Sequence, residues 1–143
     1  MRTEHYRKLE RMYQQAPINA YFRPELRVAE RQATLTLPIR PEFFHAAGAA
    51  HGAVYFKALD DATFFAAQSV EARFFVVTVS FTIYFLRPVA SGVIKAIGRV
   101  VYRSPRLVVA EGELYDEQAH LIGRGSGTFM PSNIPLSPSI GYR

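Results

Sequence analysis

The chain has 143 residues, 49% hydrophobic and 20% charged, and no cysteine. That is one domain's length with enough apolar residues to bury a core, and it excludes disulfides, thiolate metal sites and cysteine nucleophiles. The formal charge of +5 is spread along the chain without a dense Lys/Arg run, which argues against a nucleic-acid partner, and no apolar window is long enough to span a membrane.

Residues 1–16 predict a short N-terminal helix, because Tyr6, Leu9, Met12 and Tyr13 recur at offsets of three and four. Thr3 is placed to cap its start, and Pro17 follows its end. This charged opening lacks the apolar stretch of a signal peptide, so a soluble, cytoplasmic protein is expected. Residues 26–37 alternate, with Ala29, Ala33, Leu35 and Leu37 against Glu30, Gln32, Thr34 and Thr36. That pattern predicts one half-buried strand, closed by Pro38 and Pro41.

After a loop, residues 51–69 read as a central helix that is apolar nearly all round. Four strands follow, over 74–86, 93–103, 106–116 and 120–130. In the first, Val77, Val79, Phe81, Ile83 and Phe85 alternate with Thr78, Ser80, Thr82 and Tyr84. Short connections make these strands antiparallel. The Pro/Ser-rich tail, 131–143, is expected to be loose. A single α+β domain over residues 1–130 results, one helix packed on a curved antiparallel sheet.

The central helix carries adjacent carboxylates. On the helical wheel Lys57, Asp61 and Gln68 share a polar stripe, which places Asp61 in solvent. Asp60 instead lies with Phe56, Thr63, Phe64 and Ala67. A carboxylate on an apolar face must be paired, hydrogen-bonded or shifted in pKa, which marks Asp60 as a site candidate. At the helix start, His51–Gly52 offers a backbone N–H where helix amides lack partners, able to polarise a carbonyl oxygen. Gly52 and Asp60 are eight residues apart, about 12 Å along the axis. One helix cannot bring both onto a single carbonyl, so joint action requires two copies of the chain.

These residues resemble the hot-dog-fold acyl-CoA thioesterases of the PaaI-like type, whose pattern is His-Gly with an acidic residue nine positions after the histidine. Here that is His51, Gly52 and Asp60. The "YFLRPV" at 84–89 and "LIGRGSGTFM" at 121–130 are similar to the family's strand ends. The resemblance covers about residues 26–130. It implies a five-stranded antiparallel sheet wrapped around the long helix, homodimers that often pair into homotetramers, and hydrolysis of a thioester to a free acid and coenzyme A. Within it the Gly52 amide polarises the carbonyl. Asp60 of the other copy acts as base or nucleophile, Thr78 places the water, and His51 holds the carbonyl or the loop. His45 stands where relatives often carry asparagine, and Ala53 where many carry a second glycine.

Arg103, Arg106 and Arg124 are candidates for the phosphates of coenzyme A. Phe43, Phe44, Phe56 and Phe64 are candidates for a medium-chain or aromatic acyl pocket. Gly123, Gly125 and Gly127 alternate in the last strand, allowing close approach of a ligand or another backbone. No metal site is legible and no cofactor is expected, coenzyme A being part of the substrate. Two alternatives stand beside the acyl-CoA thioesterase: a non-catalytic acyl-CoA-binding protein, and a hot-dog enzyme acting on acyl-carrier-protein thioesters.

Overall fold

The alternation across residues 25–38 folds as a hairpin, not as one strand. A computed structural model describes residues 2–143. In it β1 (Glu25–Ala29) and β2 (Gln32–Pro38) are antiparallel, with Ala29 opposite Gln32. The two residues between them are Glu30 and Arg31, and Arg31 takes the left-handed region at φ 59°. Leu26 and Val28 are buried in the first arm and Ala33, Leu35 and Leu37 in the second, while Ala29 faces solvent. Without a glycine or asparagine the turn carries little sequence signal. The sheet therefore has six strands, one more than expected.

α1 (Arg2–Gln15) lies against β1 and is followed by a single unpredicted turn, α2 (Asn19–Phe22). Thr3 is inside α1, so it does not cap it. The central helix, α3 (Gly52–Gln68), is followed by β3 (Phe74–Phe85), β4 (Val93–Arg103), β5 (Val108–Tyr115) and β6 (Leu121–Pro135). All strand pairs are antiparallel, in the order β1-β2-β4-β5-β6-β3. The sheet curves around α3, which touches every strand. Ala58, Leu59 and Ala62 of α3 are sealed against Leu35, Ile94, Leu114 and Phe129 of the sheet. Alanine at two of these positions lets helix and sheet approach closely.

The tail is not loose. β6 continues to Pro135, pairing with β3 alone once β5 has ended opposite Phe129. Prolines are tolerated there because one side of the strand has no ladder partner. Beyond it Leu136, Ile140 and Tyr142 pack on the core, and Tyr142 Oη lies 2.7 Å from His5 Nδ1 of α1. The Pro/Ser composition hid these three apolar anchors.

β3 forms the open edge of the sheet, while α1 covers the β1 edge. Register shifts at Phe74/Val76 and Thr78/Ser80 change which residues of β3 face the core. Val76 is fully buried, whereas Val77 and Val79 stand 42% and 54% exposed. Gly125 and Gly127 face inward beneath the Phe81 ring, with no room for a methyl group at either. Their close approach is to rings of this chain itself, Phe81 at Gly125 and both Phe129 and Phe81 at Gly127. Among the described residues no helix is long and apolar enough to cross a membrane.

Candidate active site

α3 begins at a cap made by the histidine expected to be functional. His51 is extended (φ −62°, ψ 147°), and its Nδ1 accepts the Ala53 N–H at 2.8 Å. This is N-cap geometry, and it leaves Nε2 to carry the proton of the neutral ring. The Gly52 N–H, first in the helix, has no partner among the described residues. Gly52 lines a cavity of about 330 Å³ together with His45, Tyr55, Phe85 and the Arg87–Pro88 turn. Phe85 lies against the Gly52 Cα, where a Cβ would meet its ring at 2.9 Å. His45 is exposed, and its Nδ1 accepts the Ala47 N–H at 3.1 Å. Ala53 is exposed on the same first turn.

Two turns along, Asp60 is half-buried. Thr78 Oγ1 of β3 donates to its Oδ1 at 2.9 Å. Burial pushes the Asp60 carboxyl up to about 6; the Thr78 hydrogen bond opposes this, neighbouring Asp61 adds to it and Lys57 opposes it. The structure thus brings Thr78 and Asp60 together.

Asp61 is not in solvent. Tyr13 Oη of α1 donates to its Oδ2 at 2.6 Å, and Lys57 Nζ pairs with the same oxygen at 2.6 Å. Lys57 also stands over the rings of Tyr13 and Phe22, at 5.2 and 5.4 Å from their centroids. Burial raises the Asp61 pKa, against the stabilising pull of Lys57 and Tyr13. Gln68, assigned to the same polar stripe, is fully buried; it donates to Phe74 O and accepts from Val76 N–H. What reads on the helical wheel as a solvated face is a satisfied polar seam beneath α1 and the start of β3. The signal that could have found it is the apolar face of residues 1–16, which needs a surface to cover.

Asp60 lines a second cavity of about 210 Å³ with Tyr13, Lys57, Phe64 and Phe75. Gly52 and Asp60 therefore belong to different cavities of one chain, and their axial separation is about 12 Å. Of the other acyl-pocket candidates, Phe64 lies in the Asp60 cavity, whereas Phe56 is 41% exposed and stacks edge-on against Phe81. Phe43 is buried against Phe22 and Arg40, and neither it nor Phe44 lines either cavity.

The three arginines do not form one cluster. Arg103 donates to Val70 O beyond the end of α3 at 2.7 Å, and Arg106 is exposed in the β4–β5 turn. Arg124 is paired with Glu113 at 3.0 Å. Glu113 lies five residues along β5 from Val108, the partner of Arg103, roughly 17 Å away. Strand register separates what turn-end composition suggested was one patch.

The family model described as "Thioesterase superfamily" matches residues 47–122. A protein of Saccharolobus solfataricus that carries an esterase name is 32% identical over 83 residues. That match spans 58% of this chain and only 55% of the relative. Among solved structures, the PaaI protein of Escherichia coli, from the phenylacetic acid degradation operon, superposes with a TM-score of 0.86 at 19% identity, covering 94% of this chain and 98% of its own. A thioesterase of Haemophilus influenzae gives 0.77 at 19% identity, covering 87% and 88%. The hot-dog architecture is shared throughout.

Proposed function

The chain belongs to the thioesterase superfamily, and from that premise we propose that it hydrolyses acyl-CoA thioesters, of medium-chain or aromatic acyl groups, at a site shared by two copies of the chain. The observation that carries this reading is the separation of Gly52 and Asp60 into two cavities of one protomer. Each supplies half of what thioester hydrolysis needs. The uncovered side of α3, with Ala53, Phe56 and Asp60, adjoins the open β3 edge with exposed Val77 and Val79. An apolar strand edge left bare invites pairing, and a two-fold axis there sets Gly52 of each copy toward Asp60 of the other. The names of the thioesterase and esterase relatives agree with the chemistry.

The thioester carbonyl oxygen accepts from the Gly52 N–H, which strengthens as negative charge develops on that oxygen. Thr78 holds Asp60 Oδ1 and leaves Oδ2 to take a proton from water. The water oxygen adds to the carbonyl carbon. The tetrahedral intermediate then expels the coenzyme A thiolate, which recovers the proton from Asp60. A carboxyl pKa of about 6 suits a base working near neutral pH.

Gly52→Pro tests the amide cleanly. Proline is favoured at the first helical position, and His51 already has the extended backbone that a following proline requires. The substitution deletes one N–H, and its Cβ displaces the exposed Phe85 ring, which packs against Tyr55. We expect kcat to fall about 10²- to 10³-fold with the helix intact by circular dichroism. Unfolding and refolding Gly52→Pro together with an inactive Asp60→Asn chain then reads the shared site. Half of the random dimers are mixed, and each mixed dimer holds one site with both groups native, so about a quarter of wild-type activity returns. No recovery in a folded mixture would place the whole site within one chain. Acyl-CoA binding without turnover by the wild type would favour the non-catalytic binding protein, and turnover confined to acyl-carrier substrates the carrier-protein enzyme.

A further inference from the structure

We propose that Met12, Ala16 and Phe75 form a wall that limits the length of the acyl group, an inference that rests on the thioesterase reading above. The cavity beside Asp60, about 210 Å³, is backed by these three residues. The same three line the near side of a larger cavity of about 570 Å³, which continues past the end of α1 to Ile134, Pro138 and Ile140 of the C-terminal segment. They separate a small chamber at the carboxylate from a larger, mainly apolar one, whose rim also carries Gln15, Ser139 and Arg143.

The chemistry of the small chamber fixes the direction in which an acyl chain runs. Its polar side holds Asp60 and the Tyr13–Asp61–Lys57 seam, whose groups already satisfy one another. A thioester carbonyl placed beside Asp60 therefore sends its apolar chain toward Phe64, Met12 and Phe75. At about 210 Å³ this is the smaller of the two chambers, and a medium chain or one aromatic ring is the size of group it would take before the wall is reached. A longer chain meets the wall. Met12, unbranched and 6% exposed, is an adaptable partition. Phe75 is steadied by Phe64, with ring centroids 5.3 Å apart. None of the three lies between both family-matched limits except Phe75; Met12, Ala16 and the far chamber come from the two chain ends. Length selectivity in this chain is thus set by its two ends together with Phe75 of β3, while the reacting groups come from its centre.

The experiment measures kcat/KM for hexanoyl-, decanoyl- and tetradecanoyl-CoA with the wild type, Phe75→Ala, Met12→Ala and Ala16→Phe. Each additional buried methylene is worth roughly a fourfold gain. Opening the wall in Phe75→Ala or Met12→Ala should raise the tetradecanoyl-to-hexanoyl ratio at least about tenfold, and Ala16→Phe should lower it. In parallel, thermal protection by the same acyl-CoAs is compared in Asp60→Asn and Asp60→Asn/Phe75→Ala, which reads binding without turnover. Ratios and protection that stay at the wild-type pattern in folded variants overturn the wall and leave the hydrolase reading intact. Protection that shifts to longer chains while the wild type hydrolyses none of them overturns the hydrolase reading and supports the wall.

Discussion

Asp60→Asn is expected to lower kcat/KM by about 10³-fold, within the span of roughly 10² to 10⁴ typical of a lost general base, while the fold is kept or gains stability. Asparagine preserves the shape and can still accept from Thr78 Oγ1, but it cannot take a proton from water. The same burial that makes Asp60 a useful base makes it a costly residue. Its pKa rises from 3.8 to about 6 on folding, so the folded state binds the proton more tightly than the unfolded chain. Below about pH 4 both states are protonated and there is no penalty. The penalty grows as the pH rises from about 4 to about 6 and is full above that. Two pKa units correspond to about 3 kcal/mol, and partial exposure of the carboxylate reduces this to about 1–2 kcal/mol. Asp60→Asn should therefore melt a few degrees higher at neutral pH and gain nothing at pH 3. The wild-type activity should rise with pH through an apparent pKa near 6. Lost stability at neutral pH, together with lost activity, would make Asp60 a structural residue. Asp61→Asn is not a neutral control, because it loosens Lys57 and Tyr13; an exposed β5 residue such as Glu111 serves better.

Gly98→Ala is the substitution expected to cost most in stability. Gly98 lies on β4 directly under α3, and a Cβ there would stand 2.4 Å from Ala62 O and 2.7 Å from Thr63 N. These are backbone atoms of the central helix, so no rotamer change relieves the overlap. The helix must lift from the sheet or the strand must bend away. Overpacking costs about 1–3 kcal/mol where side chains can adjust, and more where they cannot. We expect about 3 kcal/mol or more, a fall in Tm of roughly 10 °C. Gly112→Ala is the matched comparison. Its Cβ would meet the ends of the Thr63 and Leu59 side chains at 3.0 and 3.2 Å, and the expected loss is less than half. Equal losses in thermal melts would show that close helix-to-sheet approach is not what Gly98 provides. Any lift of α3 also moves Asp60 from Thr78, so activity should fall with stability in Gly98→Ala.

The local patterns of this chain located its central helix and its last four strands, and singled out the carboxylate used in the proposed chemistry. Periodicity located α3 within a residue at each end, and the four strands from β3 to β6 where they were expected, because hydrophobic alternation is a property of neighbouring residues. The wheel also separated Asp60 from Asp61, since their directions differ by a fixed helical angle. Tertiary structure decided everything that depends on what covers a face. Asp61 and Gln68 read as solvated until α1 and the start of β3 are laid over them. Val77 and Val79 read as sharing one face with Phe81 and Ile83, but across the register shifts of β3 the two valines are exposed while Phe81 and Ile83 pack on the core. Arg124 read as a neighbour of Arg103 and Arg106 until strand register placed it far along the sheet. Tyr13, Met12 and Phe75 carried no site signal at all, because their relation to Asp60 spans up to 48 residues of sequence and exists only after packing. A sequence specifies the periodicity of each element, but burial is a relation between elements, and that relation is fixed only when the chain closes on itself.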